Sequence, residues 1–169
     1  IITTDQATLT IDVQDQKSRD FGFEGAVTRY FENGWQGGTT LHLVRSEEED
    51  ADGDWIKRDA RYASLSKSTA FVGWGDGQRS ARLQAQHAFN LKDDADHEID
   101  GYTTFDLMGE QKTGFGTFSA GIQNLLDKQY STVWGQRAAL FYSPTYGPAY
   151  LYDYQGRGRT FTLGWSLEY

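Results

Sequence analysis

Aromatic and arginine side chains are concentrated in the last long segment of the chain. They are Trp134, Arg137, Tyr142, Tyr146, Tyr150, Tyr152, Tyr154 and Arg157. Flat aromatic rings offer contact area at small entropic cost, and guanidinium groups bind anionic, oxygen-rich molecules through directed hydrogen bonds. The segment therefore predicts a ligand-binding loop; the alternative is an ordered loop in which these side chains pack on one another.

Two acidic runs, SEEEDADGDW and LKDDADHEIDG, raise the question of calcium. Asp50, Asp52 and Asp54 alternate as ligands of an EF-hand loop do. However, glycine stands at Gly53 rather than at the sixth position of the loop, and the twelfth position is Arg61 instead of glutamate. We expect solvated loops and no metal site.

The remaining candidates for chemistry are weak. His42, His87 and His97 share no metal-ligand spacing, and cysteine is absent. His97 with Asp94 and a nearby serine could imitate a catalytic triad, but the chain has no nucleophile elbow, metalloprotease motif or phosphate loop. The sequence therefore predicts a protein that is not an enzyme and needs no cofactor.

Composition narrows the fold class of this 169-residue chain. Aromatic residues make up 15%, there are 19 glycines and only two prolines, and no apolar run is long enough for a membrane helix. The net charge of −8 argues against nucleic acid as a partner, because phosphate contacts need stripes of Lys and Arg. We expect one all-β domain.

Apolar and polar residues alternate in about eight segments, the period of a strand with one apolar face. The segments are ATLTIDV, RDFGFEGAVTRYF, WQGGTTLHLVR, STAFVGW, ARLQAQHAF, YTTFDLMG, FSAGIQNLL and TFTLGWSLEY. The connections alternate in length: the turns ENGW, GDGQ and KTGFG are short, whereas residues 45 to 66, 90 to 101 and 132 to 157 form long connections.

Short turns at one end and long loops at the other are typical of outer-membrane β-barrels. A soluble sandwich or lipocalin-like barrel also alternates. The polar face of a soluble protein, however, should be rich in charged residues, whereas the polar face of these strands consists mainly of Gly, Ser, Thr and Gln. The sequence therefore favours antiparallel transmembrane strands with Trp35, Trp74, Trp165 and Tyr169 near the membrane interface.

Two segments carry a resemblance to TonB-dependent outer-membrane siderophore receptors. GIQNLLDKQY, residues 121 to 130, resembles an element of their penultimate strand, and Thr162, Gly164, Leu167 and Tyr169 resemble the signal read by the barrel assembly machinery. WGQRA, the Tyr-rich loop and GRGRT follow one another as in receptors of the ferric aerobactin type.

The resemblance implies the fold, the partners and the location in the bacterial outer membrane. Residues 1–169 would be the C-terminal part of a roughly 22-stranded barrel without its plug domain. The implied ligand is an aerobactin-like ferric hydroxamate, bound by residues of the Tyr-rich loop. The implied partners are lipid and lipopolysaccharide, the assembly machinery, and TonB through the missing plug. The alternative is an autonomous eight-stranded barrel with a structural or adhesive role.

Overall fold

The computed structural model describes residues 2–5, 10–13 and 16–167, with side chains from residue 16 onward. It contains the strands β1 Ile2–Asp5, β2 Thr10–Val13, β3 Ser18–Tyr30, β4 Trp35–Glu49, β5 Trp55–Lys57, β6 Lys67–Gly75, β7 Arg79–Ala88, β8 Leu91–Lys92, β9 Glu98–Ile99, β10 Tyr102–Thr113, β11 Gly116–Gln123 and β12 Thr160–Ser166. Its helices are α1 Val133–Phe141 and α2 Ser143–Tyr146, with 3-10 turns at Glu32–Gly34 and Ala149–Tyr152.

Seven long strands form one antiparallel sheet in the order β12-β11-β10-β7-β6-β4-β3, and β5 extends the far end of β4. Each long strand lies beside the next long strand along the chain, because short turns and folded-back connections join them in an up-and-down path. The predicted all-β antiparallel architecture is confirmed.

The first predicted strand, residues 7 to 13, takes a different place. Thr10–Val13 pairs with Ile2–Asp5 in a separate two-stranded sheet, and residues 6 to 9 lie outside the described part of the chain. Within the described residues, β3 pairs only with β4 and β12 only with β11, so the main sheet has two unpaired edges.

One face of the main sheet is a continuous apolar surface. The register aligns Val72, Leu83, Leu107, Ile122 and Phe161 directly across five strands, from β6 to β12. Side chains directly opposite each other share a face, so the row is one stripe of that surface. Phe161 is 69% exposed, and within the described residues no second layer covers the stripe.

The opposite face is polar and internally bonded. Gln86 Nε2 donates to Asp106 Oδ2 at 2.9 Å, and the guanidinium of Arg82 lies 3.7 Å above the centre of the Phe71 ring. A sheet with one apolar face and one polar face agrees with the alternation predicted from the sequence.

The three predicted tight turns all lie at one end of the sheet, between β3 and β4, β6 and β7, and β10 and β11. Asn33 and Gly34 have φ values of 61° and 82°. A Cβ on Gly34 would lie 2.0 Å from the Gly75 carbonyl oxygen, so a glycine is required there.

The buried core lies at the other end of the sheet. Among the described residues, the buried hydrophobic side chains are Ala60, Ala63, Ile99 and Ala138. All four belong to the long connections, and none of them belongs to the seven long strands of the sheet. No helix of the described chain is both long and apolar enough to cross a bilayer.

The long connections are more ordered than the sequence predicted. The first acidic run lies in β4 as far as Glu49, and Glu47 is 4% exposed because Arg19 and Arg45 pair with its carboxylate. The expectation of a solvated loop was wrong at Glu47, where two arginines replace water. The last connection, predicted as a long loop, contains α1 and α2.

Candidate ligand-binding site at the long connections

Three long connections pack into one unit, which we call the cap: residues 50–66, 89–101 and 124–159. Arg137 of α1 joins the last connection to the first. Its Nε donates to the Ala60 carbonyl at 2.9 Å and its Nη2 donates to the Ala63 carbonyl at 2.5 Å. Because both acceptors are main-chain oxygens of one turn, Arg137 fixes the position of α1 on that turn.

Asp93 joins the second connection to the first. Its Oδ2 accepts hydrogen bonds from the Ala60 N–H at 3.0 Å and from His97 Nδ1 at 2.9 Å, while its Oδ1 accepts from the N–H groups of Ala95 and His97. The carboxyl is 3% exposed. Burial raises its pKa, but the hydrogen bonds from Ala60 and His97 outweigh burial and leave the pKa of Asp93 below its ordinary value.

Gln136 closes the third link, between the second and last connections. Its Oε1 accepts from the Asp100 N–H at 2.7 Å, and its Nε2 donates to the Asp100 carbonyl at 3.0 Å. The helix that carries Gln136 is capped at its N-terminus by Thr132, whose hydroxyl accepts from the Gly135 N–H at 3.0 Å. Residues on one turn of α1 thus reach both other connections.

Arg137 is the predicted ligand residue whose position differs most from the expectation. It is half-buried, and desolvation lowers the pKa of its guanidinium from the ordinary value. Two of its nitrogens are already occupied by the carbonyls of Ala60 and Ala63. The structure therefore gives Arg137 a clear role in holding the cap together; its contact with a ligand stays a prediction.

Three of the predicted aromatic residues come together on the surface of the cap. The ring centres of Trp134 and Tyr142 are 6.4 Å apart, and those of Tyr142 and Tyr146 are 6.5 Å apart. All three are exposed, Tyr146 at 72%. They form a strip, which we call the aromatic strip, that presents ring faces and phenol groups to solvent.

Tyr150 and Tyr152, two of the other predicted tyrosines, belong to the segment that follows the strip. Tyr150 lines a cleft of about 370 Å³ together with Asp100, Gln136 and Leu140. Tyr152 is half-buried in the 3-10 turn, and its carbonyl accepts from the Tyr154 N–H at 2.8 Å. These positions do not show whether Tyr150 and Tyr152 contact a ligand, so that role stays a prediction.

A second cleft was not predicted from the sequence. It has about 380 Å³ and adjoins the first, sharing Asp100, Ser131 and Gln136 with it. Tyr102 and Tyr130 stack on one of its walls with ring centres 4.1 Å apart. Tyr130 ends the NLLDKQY segment, which was the available signal; Tyr102 begins β10 and reads as an ordinary strand residue.

The NLLDKQY segment has a structural explanation. Asn124 is buried with a φ of 50°; its Nδ2 donates to the carbonyls of Lys128 and Arg157, and its Oδ1 accepts from the Lys128 N–H. Asp127 Oδ1 accepts from the Arg159 N–H at 2.8 Å. The motif therefore ties the end of β11 to the chain entering β12.

The predicted assembly signal lies at the sheet edge. Thr162 and Gly164 belong to β12 on its polar face, and Leu167 follows the strand with its side chain exposed. Tyr169 lies outside the described residues. The signal's role stays a prediction.

In the described part of the chain, no group of three or more His, Asp or Glu residues is placed to hold a metal ion. His97 bonds to Asp93 instead of Asp94, the partner considered from the sequence. His87 Nδ1 lies 2.8 Å from the Thr103 hydroxyl in the sheet.

The structure is thus an antiparallel sheet with one apolar face, capped at one end by packed connections that carry an aromatic strip. The chain is 47% identical over 160 residues to ferric aerobactin receptors of Escherichia coli and Klebsiella pneumoniae. It is 37% identical over 164 residues to a rhizobactin receptor of Rhizobium meliloti (strain 1021). The resemblance predicted from the sequence is confirmed.

These alignments cover 94% and 96% of the chain but only 22% of each receptor. The chain thus spans about a fifth of the length of the curated relatives it matches. No family model and no solved structure matches it. The relatives are named as receptors, which agrees with the prediction of a protein that is not an enzyme.

Proposed function

We propose that the chain forms part of the wall and the outward-facing connections of a TonB-dependent outer-membrane receptor that transports a ferric siderophore, with an aerobactin-like hydroxamate as its ligand. The observation that carries the proposal is the 47% identity, over 94% of the chain, to receptors named for ferric aerobactin. The 37% identity to a rhizobactin receptor supports a siderophore as the ligand more generally.

The two faces of the sheet support a place in the bacterial outer membrane. The apolar stripe containing Leu83, Leu107 and Ile122 would contact lipid, and the polar face would line the interior of a larger barrel. The cap would then lie outside, next to lipopolysaccharide. The barrel assembly machinery would insert the strands, and TonB would act through the plug domain of the full-length receptor.

The cap supports binding of a large polar ligand. An iron chelate of the citrate–hydroxamate type is bulky, oxygen-rich and anionic. The aromatic strip offers it flat surfaces, and the hydrogen bonds of Arg137, Asp93 and Gln136 hold those surfaces in place before the ligand arrives. A site that is ordered in advance loses less entropy on binding.

The experiment is ligand binding to the full-length receptor in isolated outer membranes. The probe is the ferric complex of a citrate-based dihydroxamate. Tyr146→Ala should weaken its binding by about tenfold, because loss of an exposed aromatic contact costs on the order of 1–2 kcal/mol. Tyr30→Ala is the matched control, since Tyr30 is 76% exposed but lies at the short-turn end.

A receptor that does not bind this probe would refute the proposal for this ligand class. Equal affinities of Tyr146→Ala and the unmodified receptor would refute the role of the aromatic strip alone.

A further inference from the structure

The cleft containing Tyr102 and Tyr130 lies where the cap meets the polar face of the sheet. Tyr102 is the first residue of β10 and pairs with Ala88, and Ala88 pairs with Lys67 in the next strand. By this register Tyr102 lies on the same face as Asp106, the polar face. A molecule that passes from the cap toward that face meets this cleft.

The walls of the cleft are fixed by contacts that have no need of a ligand. Tyr130 is held between the Tyr102 ring and the backbone of Gly156, where a Cβ would lie 2.1 Å from the Tyr130 ring. The Gly156 N–H donates to the Tyr130 carbonyl at 2.7 Å. Gln136 is held by Asp100 and Ser131 on the other side. The shape is therefore set in advance.

The lining of the cleft is mainly polar and contains one cation. Lys128 lines it, and within the described residues no carboxylate lies within 4.0 Å of the Lys128 ammonium. The lining also contains the carboxylate of Asp100, so it carries one charge of each sign. The amides of Asn90, Gln129 and Gln136 are neutral, so Lys128 is the charged donor of the lining.

We infer that this cleft binds a carboxylate of the transported iron chelate, with Lys128 as its counter-ion and the stacked rings of Tyr102 and Tyr130 as an apolar wall for the adjoining carbon chain. The inference rests on the proposed receptor function and adds a specificity-determining residue to it. A chelate that carries free carboxylates would be preferred over a neutral chelate of the same shape.

The test compares two probes on the full-length receptor: the ferric complex of a citrate-based dihydroxamate, and the same complex with its peripheral carboxylates converted to amides. Lys128→Gln should weaken binding of the first probe by about tenfold and leave the second unchanged, because only the first has a charge for Lys128 to meet. Lys128→Arg should restore most of the affinity.

Lys92→Gln is the matched control, since Lys92 lies in another connection of the cap and pairs with Asp96. It should bind both probes as the unmodified receptor does. Equal affinity of Lys128→Gln and the unmodified receptor for the carboxylate probe would overturn the inference, and so would an equal loss for both probes. Failure of the unmodified receptor to bind either probe would overturn the proposed function itself.

Discussion

Arg137 Nε donates to the carbonyl oxygen of Ala60 at 2.9 Å across 77 residues of sequence. Ala60 also donates its own N–H to Asp93, so one buried residue is held from two other connections. This relationship makes the cap a single packed unit with its own small core. It also shows that a residue predicted to bind ligand is engaged by the protein's own main chain.

Replacing Arg137 should loosen the cap. Arg137→Ala removes two charge-assisted hydrogen bonds and leaves the Ala60 and Ala63 carbonyls without their partner, a local cost of about 2–3 kcal/mol. Hydrogen exchange of residues 56–66 should accelerate in the variant. Arg157→Ala, an exposed arginine of the same connection, is the control and should leave that exchange unchanged. Unaltered exchange in Arg137→Ala would contradict the role of Arg137.

The Asp93 carboxyl should make the cap sensitive to acid. Because its folded pKa lies below the ordinary 3.8, its stabilisation is complete well above that value and is lost as the pH falls below it. Asp93→Asn should remove the effect at all pH values, since an amide nitrogen cannot accept from Ala60 and His97. Protease resistance of residues 50–66 between about pH 1.5 and 5, measured with a protease that is active in acid, tests both expectations. A profile that stays flat below pH 3.8 for the unmodified protein would rule the mechanism out.

Asn124 should be needed for both its backbone angle and its side chain. Asn124→Gly keeps the positive φ but loses the bonds to Lys128 and Arg157, whereas Asn124→Ala loses both features. We expect a loss of unfolding free energy of about 2 kcal/mol for glycine and about 3 kcal/mol for alanine. Denaturant unfolding of the purified receptor would measure both losses of free energy. A smaller loss in Asn124→Ala than in Asn124→Gly would contradict the prediction.

Because the two faces of the sheet differ, the same substitution at two neighbouring positions should affect assembly differently. Ala120 lies between Gly109 and Leu163 on the apolar face, while Ser119 lies beside Glu110 on the polar face. Ala120→Lys should reduce the amount of folded receptor in outer membranes, at a cost of about 2–4 kcal/mol near the bilayer centre. Ser119→Lys should be tolerated because Glu110 is close. Gel mobility of heated and unheated samples separates the two, and equal assembly would disprove the assignment.

Much of the sheet could be predicted from the sequence, because each strand carries its own period-two pattern. Leu83 and Leu107 are found on one face without any knowledge of their partners. The folded connections could not be predicted in this way. Glu47 reads as solvent-exposed until Arg19 and Arg45 are brought to it from elsewhere in the chain.

The candidate site shows the same division. Trp134 and the tyrosines were found by residue type, and the structure places three of them together. Arg137 could not be separated from a ligand residue, because its partners are backbone carbonyls, which carry no sequence signal. Trp134, Ala138 and Phe141 do have helical spacing, but nine residues among tyrosines and glycines gave too short a pattern for α1 to be predicted.

The location of the core also bears on protein engineering. Surface loops are ordinarily the first choice for inserting an epitope tag or a fluorescent label. In this chain an insertion near Ala60 or Ala63 would separate residues that the rest of the cap contacts. The hairpin tip at Gly53, where a Cβ would approach only the Glu49 side chain at 4.0 Å, is the better position for a tag.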